Sequence, residues 1–182
     1  MTNIKFFIPL TPRPKERART VVKYGASHSY TPNNTVEYER AVKAYFLQQK
    51  NVDFKEFSRK DTLIVKISFY APIPSSYSQK RVKELKSLGY YKNTIPDLDN
   101  LVKAVQDALN KSAYEDDCII AGAEIYKQWT IGKEPFVAVN IIKVEPHIYA
   151  YNGLSRMMSD LADFNQYKED FGKKYYVFNF RK

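Results

Sequence analysis

The segment from Ile95 to Asn110 constrains this chain most, because it predicts where a helix begins and which face that helix buries. Pro96 fixes its own φ and disfavours helical geometry at Ile95, so the chain arrives extended and a helix can begin directly behind it. The apolar residues that follow have the i, i+3, i+4, i+7 spacing of one buried stripe. They are Leu98, Leu101, Val102, Val105, Ala108 and Leu109. The pattern predicts a helix near 98–110, with Asn110 as its C-cap.

A second stripe of the same helix is polar. Asp99, Lys103 and Asp107 recur at every fourth residue, so a carboxylate, an ammonium and another carboxylate stack along one side. Asp97 precedes this stripe at the point where the helix starts. The helix therefore carries its acidic residues beside, and not within, its core-facing stripe.

A pair of aspartates follows the helix and precedes an apolar run. Asp116 and Asp117 lead into a segment that ends near Trp129 and has the composition of a strand. Alternation places Asp117 on the more apolar side of that strand and Asp116 on the other side. If the helix packs on the apolar side, Asp117 points towards it. Asp117 is then the better partner for Asp97 and Asp99.

Three converging carboxylates form an all-oxygen site of the kind that Mg²⁺ prefers. A metal held there can activate water and stabilise the oxygens of a phosphoryl group being displaced. Lys103 could orient the attacking water or offset charge on the phosphate. Taken singly, acidic residues at a helix start are commonly caps, and paired aspartates before a strand are commonly turn residues. Only their combination favours a metal site.

These residues resemble the signature of the RusA-type Holliday junction resolvases, compact endonucleases common in phages and prophages. The resemblance lies in Pro96-Asp-Leu-Asp-Asn100, Lys103, Asp107-Ala-Leu-Asn110, Tyr114 and Asp116-Asp117, and it extends over about Ile4 to Val144. It implies that Asp97, Asp99 and Asp117 bind Mg²⁺, with Mn²⁺ as a possible substitute, and that Lys103 is needed for cleavage. Asp116 is a candidate for a supporting role. The chain departs from the pattern at Ile95, where the family often has a basic residue, and at Lys111, where it often has glycine.

The composition suits a polyanionic partner. The chain of 182 residues has 29 Lys and Arg against 20 Asp and Glu, a formal net charge of +9, with 15 tyrosines and 11 phenylalanines. Cations neutralise phosphates, and aromatic rings can stack on splayed bases. Cys118 is the single cysteine, predicted to be a buried strand residue, so no intramolecular disulfide is expected. With no apparent signal peptide or membrane span, a cytoplasmic location is expected.

Two basic segments are candidates for DNA contact. Arg13, Lys15, Arg17 and Arg19 occupy alternate positions, so an extended segment would present all four on one side. The resemblance singles out Lys15, Arg17 and Arg19, because the family often carries a basic segment after its first strand. Lys80 and Arg81 belong to a second cluster, on a basic helix just before the proposed site. A solvated surface is the alternative interpretation of each cluster.

The predicted fold is a single α+β domain in which helices cover a mixed or antiparallel sheet. Strands are expected near 4–9, 61–71, 117–130 and 136–145, and helices near 34–50, 78–88 and 98–110. Segments 117–130 and 136–145 are expected to pair as an antiparallel hairpin. Residues 1–145 should form the nuclease domain, and residues 146–182 a helix and strand extension packed on it. A dimer contact or a recognition appendage is the alternative role of this extension.

The function implied by the resemblance is Mg²⁺-dependent cleavage of four-way DNA junctions in DNA recombination and repair, by a homodimer that supplies one site to each of two strands. Two alternatives remain open at this point. One is a nuclease for other branched DNA, such as a flap or fork. The other is a non-catalytic junction-binding or nucleic-acid-binding protein, although clustered carboxylates without a metal would not help to bind a polyanion.

Overall fold

A computed structural model of the chain describes residues 3–131 and 134–145. Met1–Lys143 forms one compact unit, and the predicted extension at 146–182 lies outside the described residues. The strands are β1 (Asn3–Ile8), β2 (Arg19–Lys23), β3 (Ala26–Tyr30), β4 (Leu63–Pro72), β5 (Ile120–Thr130) and β6 (Phe136–Lys143). The helices are α1 (Asn33–Gln49), α2 (Gln79–Ser87) and α3 (Leu98–Leu109), and Asp117–Ile119 forms one turn of 3-10 helix. The predicted α+β class is confirmed.

The main sheet is mixed, with the strand order β1-β6-β4-β5, and β2 and β3 form a separate ribbon. β4 pairs with β5 in parallel and with β6 in antiparallel orientation. The predicted hairpin of β5 and β6 is therefore wrong, because β4 lies between them. From β4 the chain reaches β5 through α2 and α3, and parallel neighbours need such a long crossover. β6 then pairs with the other edge of β4.

The core lies between this sheet and the helices α1 and α3. Alternate residues of β4 are buried, and so are alternate residues of β1 and β6. α1 adds Tyr38, Val42 and Phe46 to this core, and Phe46 meets Phe6 edge to face at 5.3 Å. Truncation of a buried phenylalanine to alanine typically costs about 3–5 kcal/mol. This core holds α3 in place and leaves its polar stripe outside.

The ends of the helices and strands agree in part with those predicted from the sequence. Ser78 caps α2 by accepting from the Arg81 backbone N–H at 3.2 Å, and Asn110 is the C-cap of α3 as predicted. α1 begins one residue earlier than expected, with Pro32 in the cap position. Cys118 is exposed in the 3-10 turn. Its predicted burial in a strand is wrong because β5 starts only at Ile120.

Candidate active site

The polar stripe of α3 forms one wall of an open cleft of about 590 Å³. Asp99, Lys103 and Asp107 all line it, as their spacing predicts, and Asp117 faces them from the 3-10 turn before β5. The remaining lining residues are Leu98, Val102, Gln106 and Ile125. The predicted approach of Asp117 to the acidic face of α3 is thus present, and Lys103 lies between two carboxylates of its own helix.

Asp97 occupies a different place from the other predicted ligands. It is the N-cap of α3, with extended backbone, and its side chain makes no capping hydrogen bond. Its carbonyl accepts from the Leu101 N–H at 3.3 Å. Asp97 is exposed and does not line the cleft, whereas Asp107, which was not a predicted ligand, does.

Asp107 and Asp117 share a neighbour in Tyr114, which is fully buried. The Tyr114 hydroxyl donates to the Gln106 carbonyl at 2.9 Å. Burial raises the pKa of Tyr114 well above its ordinary value, and the negative charges of Asp117 and Asp107 raise it further. Tyr114 therefore stays protonated, and its buried ring anchors the link between α3 and the turn that carries Asp117.

Asp116 turns to a different set of partners. Its carboxylate accepts from the Cys118 backbone N–H at 3.1 Å, and Arg59 donates to it at 2.8 Å. The hydrogen bond from the Cys118 backbone holds the pKa of Asp116 below its ordinary value, and the Arg59 charge adds to this effect. Asp116 thus caps the turn that presents Asp117, and a supporting role at a metal stays a prediction.

Two lysines that the sequence did not assign to the site hold the loop that leads into α3. Lys127 donates to the carbonyls of Thr94 and Pro96 at 2.8 and 2.6 Å. Lys92 donates to the Thr94 hydroxyl at 2.6 Å and to the Ile95 carbonyl. Burial lowers the pKa of Lys92, and the nearby charge of Lys127 lowers it further.

Lys127 lies far along β5 from Asp117 and contacts this loop instead. The loop returns to the far end of β5, where the Lys92 N–H donates to the Lys127 carbonyl at 2.8 Å and the Trp129 N–H donates to the Tyr90 carbonyl at 2.8 Å. The alternation of charged and apolar residues in β5 carries no signal of that return. Lys127 thus fixes the backbone that immediately precedes Asp97.

Lys15 is the one member of the first basic segment that is tied to the site. Its backbone N–H donates to the Asn100 carbonyl at 2.8 Å, and its ammonium pairs with Glu39 at 2.8 Å and with Asp107. Burial lowers the pKa of Lys15, but the hydrogen bonds and charges of Asp107 and Glu39 outweigh that effect and leave it raised. Lys15 therefore bridges α1 and α3, and a role in phosphate contact stays a prediction.

The other predicted DNA contacts lie at the surface. Arg13, Arg17 and Lys80 are exposed. Arg19 pairs with Glu16 at 3.3 Å while staying largely exposed, and Arg81 pairs with Glu84 at 3.0 Å. Exposed pairs of this kind contribute little to stability, about 0–1 kcal/mol, so both guanidinium groups can exchange a carboxylate for a phosphate.

The donor set of the cleft fits a hard divalent cation in its chemistry, since Asp99, Asp107 and Asp117 all offer carboxylate oxygens. In residues 3–131 and 134–145, however, no three His, Cys, Asp or Glu side chains are grouped closely enough to hold an ion. Mg²⁺ is commonly held by one or two carboxylates together with waters and substrate phosphates. The cleft therefore offers part of the ligand set of such an ion.

Comparison with known proteins identifies a family and a relative. The family model described as Endodeoxyribonuclease RusA matches residues 9–142. A Bacillus subtilis (strain 168) protein called uncharacterized protein YqaN is 30% identical over 151 residues, which cover 79% of this chain and 99% of that protein. The matched region includes the cleft, the lysines of the preceding loop and both basic segments. None of the helices in the described part of the chain is long and apolar enough to cross a bilayer.

Proposed function

The chain belongs to the RusA endodeoxyribonuclease family, and from that premise we propose that it resolves four-way (Holliday) DNA junctions by paired symmetric phosphodiester cleavage with Mg²⁺ as cofactor. Nucleases of this family act on branched DNA and generally depend on a divalent metal. The observation that carries the proposal is the cleft that Asp99 and Lys103 line from α3 and that Asp117 lines from the turn before β5. The neighbouring basic surface provides the charge for a DNA partner.

The proposed ion is held by Asp99 and Asp117, with Asp97 as the third ligand that the resemblance implies and Asp107 as the one that the cleft favours. When bound, the cation supplies positive charge that stabilises the phosphodiester oxygens during bond cleavage. Lys103 lies on the same stripe and can donate to a phosphate oxygen in the cleft, where it offsets negative charge that builds up there. Lys127 keeps the loop before Asp97 in place, and Asp116 keeps the turn of Asp117 in place.

The proposed DNA path continues from the cleft over the exposed residues Arg13, Arg17 and Arg19 and over Lys80 and Arg81. Such contacts neutralise phosphates and set the position of the duplex without reading its sequence. The proposal includes a homodimer, because a four-way junction has near two-fold symmetry and needs two related cuts. It also includes Mn²⁺ as a substitute ion and the cytoplasm as the location.

The first test is incubation of the full chain with a labelled four-way junction and a matched linear duplex, with Mg²⁺ or with EDTA. We expect paired symmetric nicks in the junction alone, abolished by EDTA and by Asp99→Asn. Asp53→Asn, an exposed aspartate on the loop after α1, is the matched control and should cut normally. Cleavage of a flap or fork in preference to the junction would support the alternative of a nuclease for other branched DNA.

A second comparison decides the third ligand. Asp97→Asn should abolish cleavage and leave junction binding intact if the resemblance assigns the ligand correctly. Asp107→Asn should do so if the cleft geometry is the better guide. Because Asp107 also pairs with Lys15, its variant needs a melting temperature beside the rate. A loss of rate without a loss of stability identifies a ligand.

The rival function is junction binding without cleavage. It is favoured by the absence, in the part of the chain that the structure describes, of three acidic or other ligating side chains grouped around one point. Tight junction binding without cutting, in Mg²⁺ and in Mn²⁺, would support this rival and contradict the proposed enzyme.

A further inference from the structure

The ribbon of β2 and β3 exposes apolar side chains on both faces. Every residue of β3 is exposed, Val22 of β2 has 72% of its surface accessible, and Tyr30 has 46%. Tyr24 at the tip is fully exposed. A two-stranded ribbon alone is only marginally stable in water, so one that displays apolar groups gains from a partner that covers them.

The residue at the tip is an unfavourable choice for the turn. Tyr24 and Gly25 form the two-residue loop, with φ of +52° and +76°. Positive φ at both positions is the geometry of a type I′ turn, in which asparagine followed by glycine is strongly preferred. A tyrosine in the left-handed region costs about 1 kcal/mol or more. The geometry of the turn therefore does not explain why a tyrosine stands at this position. The full exposure of its ring points to a contact with a partner.

The charge of the ribbon and of the segment that leads into it favours a polyanion as that partner. Residues 17–30 contain no Asp or Glu and include Arg17 and Arg19, which are both exposed. Directly paired residues project to the same face of a ribbon, so Arg19 shares a face with its partner Tyr30. A second copy of this chain would bring the same positive charge to the same surface, whereas DNA brings phosphates and flat bases.

The ribbon also begins close to the candidate active site. Lys15 contacts both Asn100 and Asp107 of α3, and β2 starts four residues later at Arg19. Four extended residues span at most about 14 Å. Each strand of the ribbon has five residues, which adds roughly 17 Å from base to tip. The ribbon is thus long enough to contact a DNA segment that is bound at the cleft.

We propose that the β2-β3 ribbon is a DNA-contacting element whose Tyr24 ring stacks on an unstacked base near the branch point. A duplex offers few splayed bases, so this contact favours branched over linear DNA, while Arg19 contacts the backbone. The inference rests on the proposed function and adds to it the element that recognises the branch.

The test compares Tyr24→Asn and Tyr24→Phe in the full chain, with binding measured in EDTA so that no strand is cut. Tyr24→Asn creates the preferred Asn-Gly turn and removes only the ring. We expect it to weaken junction binding about tenfold, the scale of one lost stacking contact, with less than about twofold change for linear duplex. Its melting temperature should be unchanged or higher, and Tyr24→Phe should bind like the unaltered chain. Equal loss on both DNAs, or no loss on the junction, would overturn the proposal.

Val22→Ser and Val52→Ser form a matched pair, because both valines are highly exposed and only Val22 lies on the ribbon. Weaker junction binding for Val22→Ser alone supports the proposal, and equal effects contradict it. A change of molecular mass in solution for Tyr24→Asn would assign the ribbon to a contact between copies instead. If the unaltered chain binds the junction but Tyr24→Asn does too, only this inference fails. If the unaltered chain neither binds nor cuts branched DNA, the proposed function fails with it.

Discussion

At the scale of single residues, Lys111 stands where the resemblance to the family leads us to expect glycine. It follows the C-cap of α3 with φ of +58°, a conformation that glycine adopts without strain. We expect Lys111→Gly to raise the free energy of unfolding by about 0.5 kcal/mol, because relief of about 1–2 kcal/mol of strain exceeds the added chain entropy of the unfolded state together with the loss of the exposed hydrogen bond from the Lys111 ammonium to the Glu115 carbonyl. Chemical denaturation measures this.

The control for that substitution is Lys55→Gly. Lys55 is also an exposed lysine outside helices and strands, but its φ is not positive. Glycine there gains no strain relief and should lower the free energy of unfolding by about 0.4–1 kcal/mol. Changes of the same sign at both positions would contradict the assignment of strain to Lys111.

Lys127 supplies the second prediction at this scale. Lys127→Met keeps an unbranched side chain, one heavy atom shorter, but removes the two hydrogen bonds to the loop before Asp97. We expect junction cleavage to fall about tenfold, since small displacements of catalytic groups are costly, while junction binding changes less than about twofold. Lys43→Met, at an exposed position of α1, makes the same change of charge and should retain the rate. A parallel loss of binding and cleavage would indicate a phosphate contact instead.

The site was predictable from the sequence where its geometry is local. The stripe of Asp99, Lys103 and Asp107 follows from helical spacing alone, and the structure places all three on one cleft. The contacts of Lys127 with the loop and of Lys15 with Asp107 join residues far apart in the chain. No local period encodes such contacts, because they depend on how the elements are arranged around the core.

At the scale of elements, the sequence predicted the strands of the main sheet but not how they pair. Alternation indicates that a segment is extended with one buried face, and β4 and β6 show this alternation clearly. The alternation carries no information about which strands pair with one another. A short link between β5 and β6 ordinarily indicates a hairpin. Here β4 takes the place between them and pairs with both.

Asp61 connects the loop that precedes β4 to strand β6. Its carboxylate accepts from Lys143 at 2.6 Å and from the Ser58 N–H at 2.8 Å, and the Lys143 contact holds the pKa of Asp61 below its ordinary value of 3.8. A lowered folded-state pKa stabilises the fold above the unfolded-state pKa, and this contribution disappears as the pH falls through the folded-state pKa.

We therefore expect Asp61→Asn to lower the free energy of unfolding by about 1 kcal/mol at neutral pH. The difference from the unaltered chain should begin to shrink below the unfolded-state pKa and vanish as the pH falls through the lower folded-state pKa, because the native carboxyl is then neutral as well. Denaturation at several pH values measures it. Asp53→Asn is the control, as an exposed aspartate on the loop after α1. A difference that persists at low pH would show that geometry, and not charge, explains the effect.

At the scale of the whole molecule, the formal charge of +9 gives DNA binding a long-range component. Net charge alone would attract any nucleic acid, whatever surface the cations occupy. A defined DNA-binding surface differs from a general excess of charge, because only the phosphates that it neutralises release their counterions. The dependence of binding on salt therefore distinguishes a surface from a general excess of positive charge.

The double variant Arg13→Ala with Arg17→Ala tests this distinction in EDTA over a range of KCl concentrations. If both arginines contact phosphates, the slope of log affinity against log salt should become less steep by about 2, roughly 0.9 for each lost contact. Lys55→Ala with Lys60→Ala removes the same charge from exposed residues of the loop between α1 and β4. That pair should lower affinity slightly and leave the slope almost unchanged. Equal flattening by both pairs would mean that net charge, and not the segment before β2, governs the encounter with DNA.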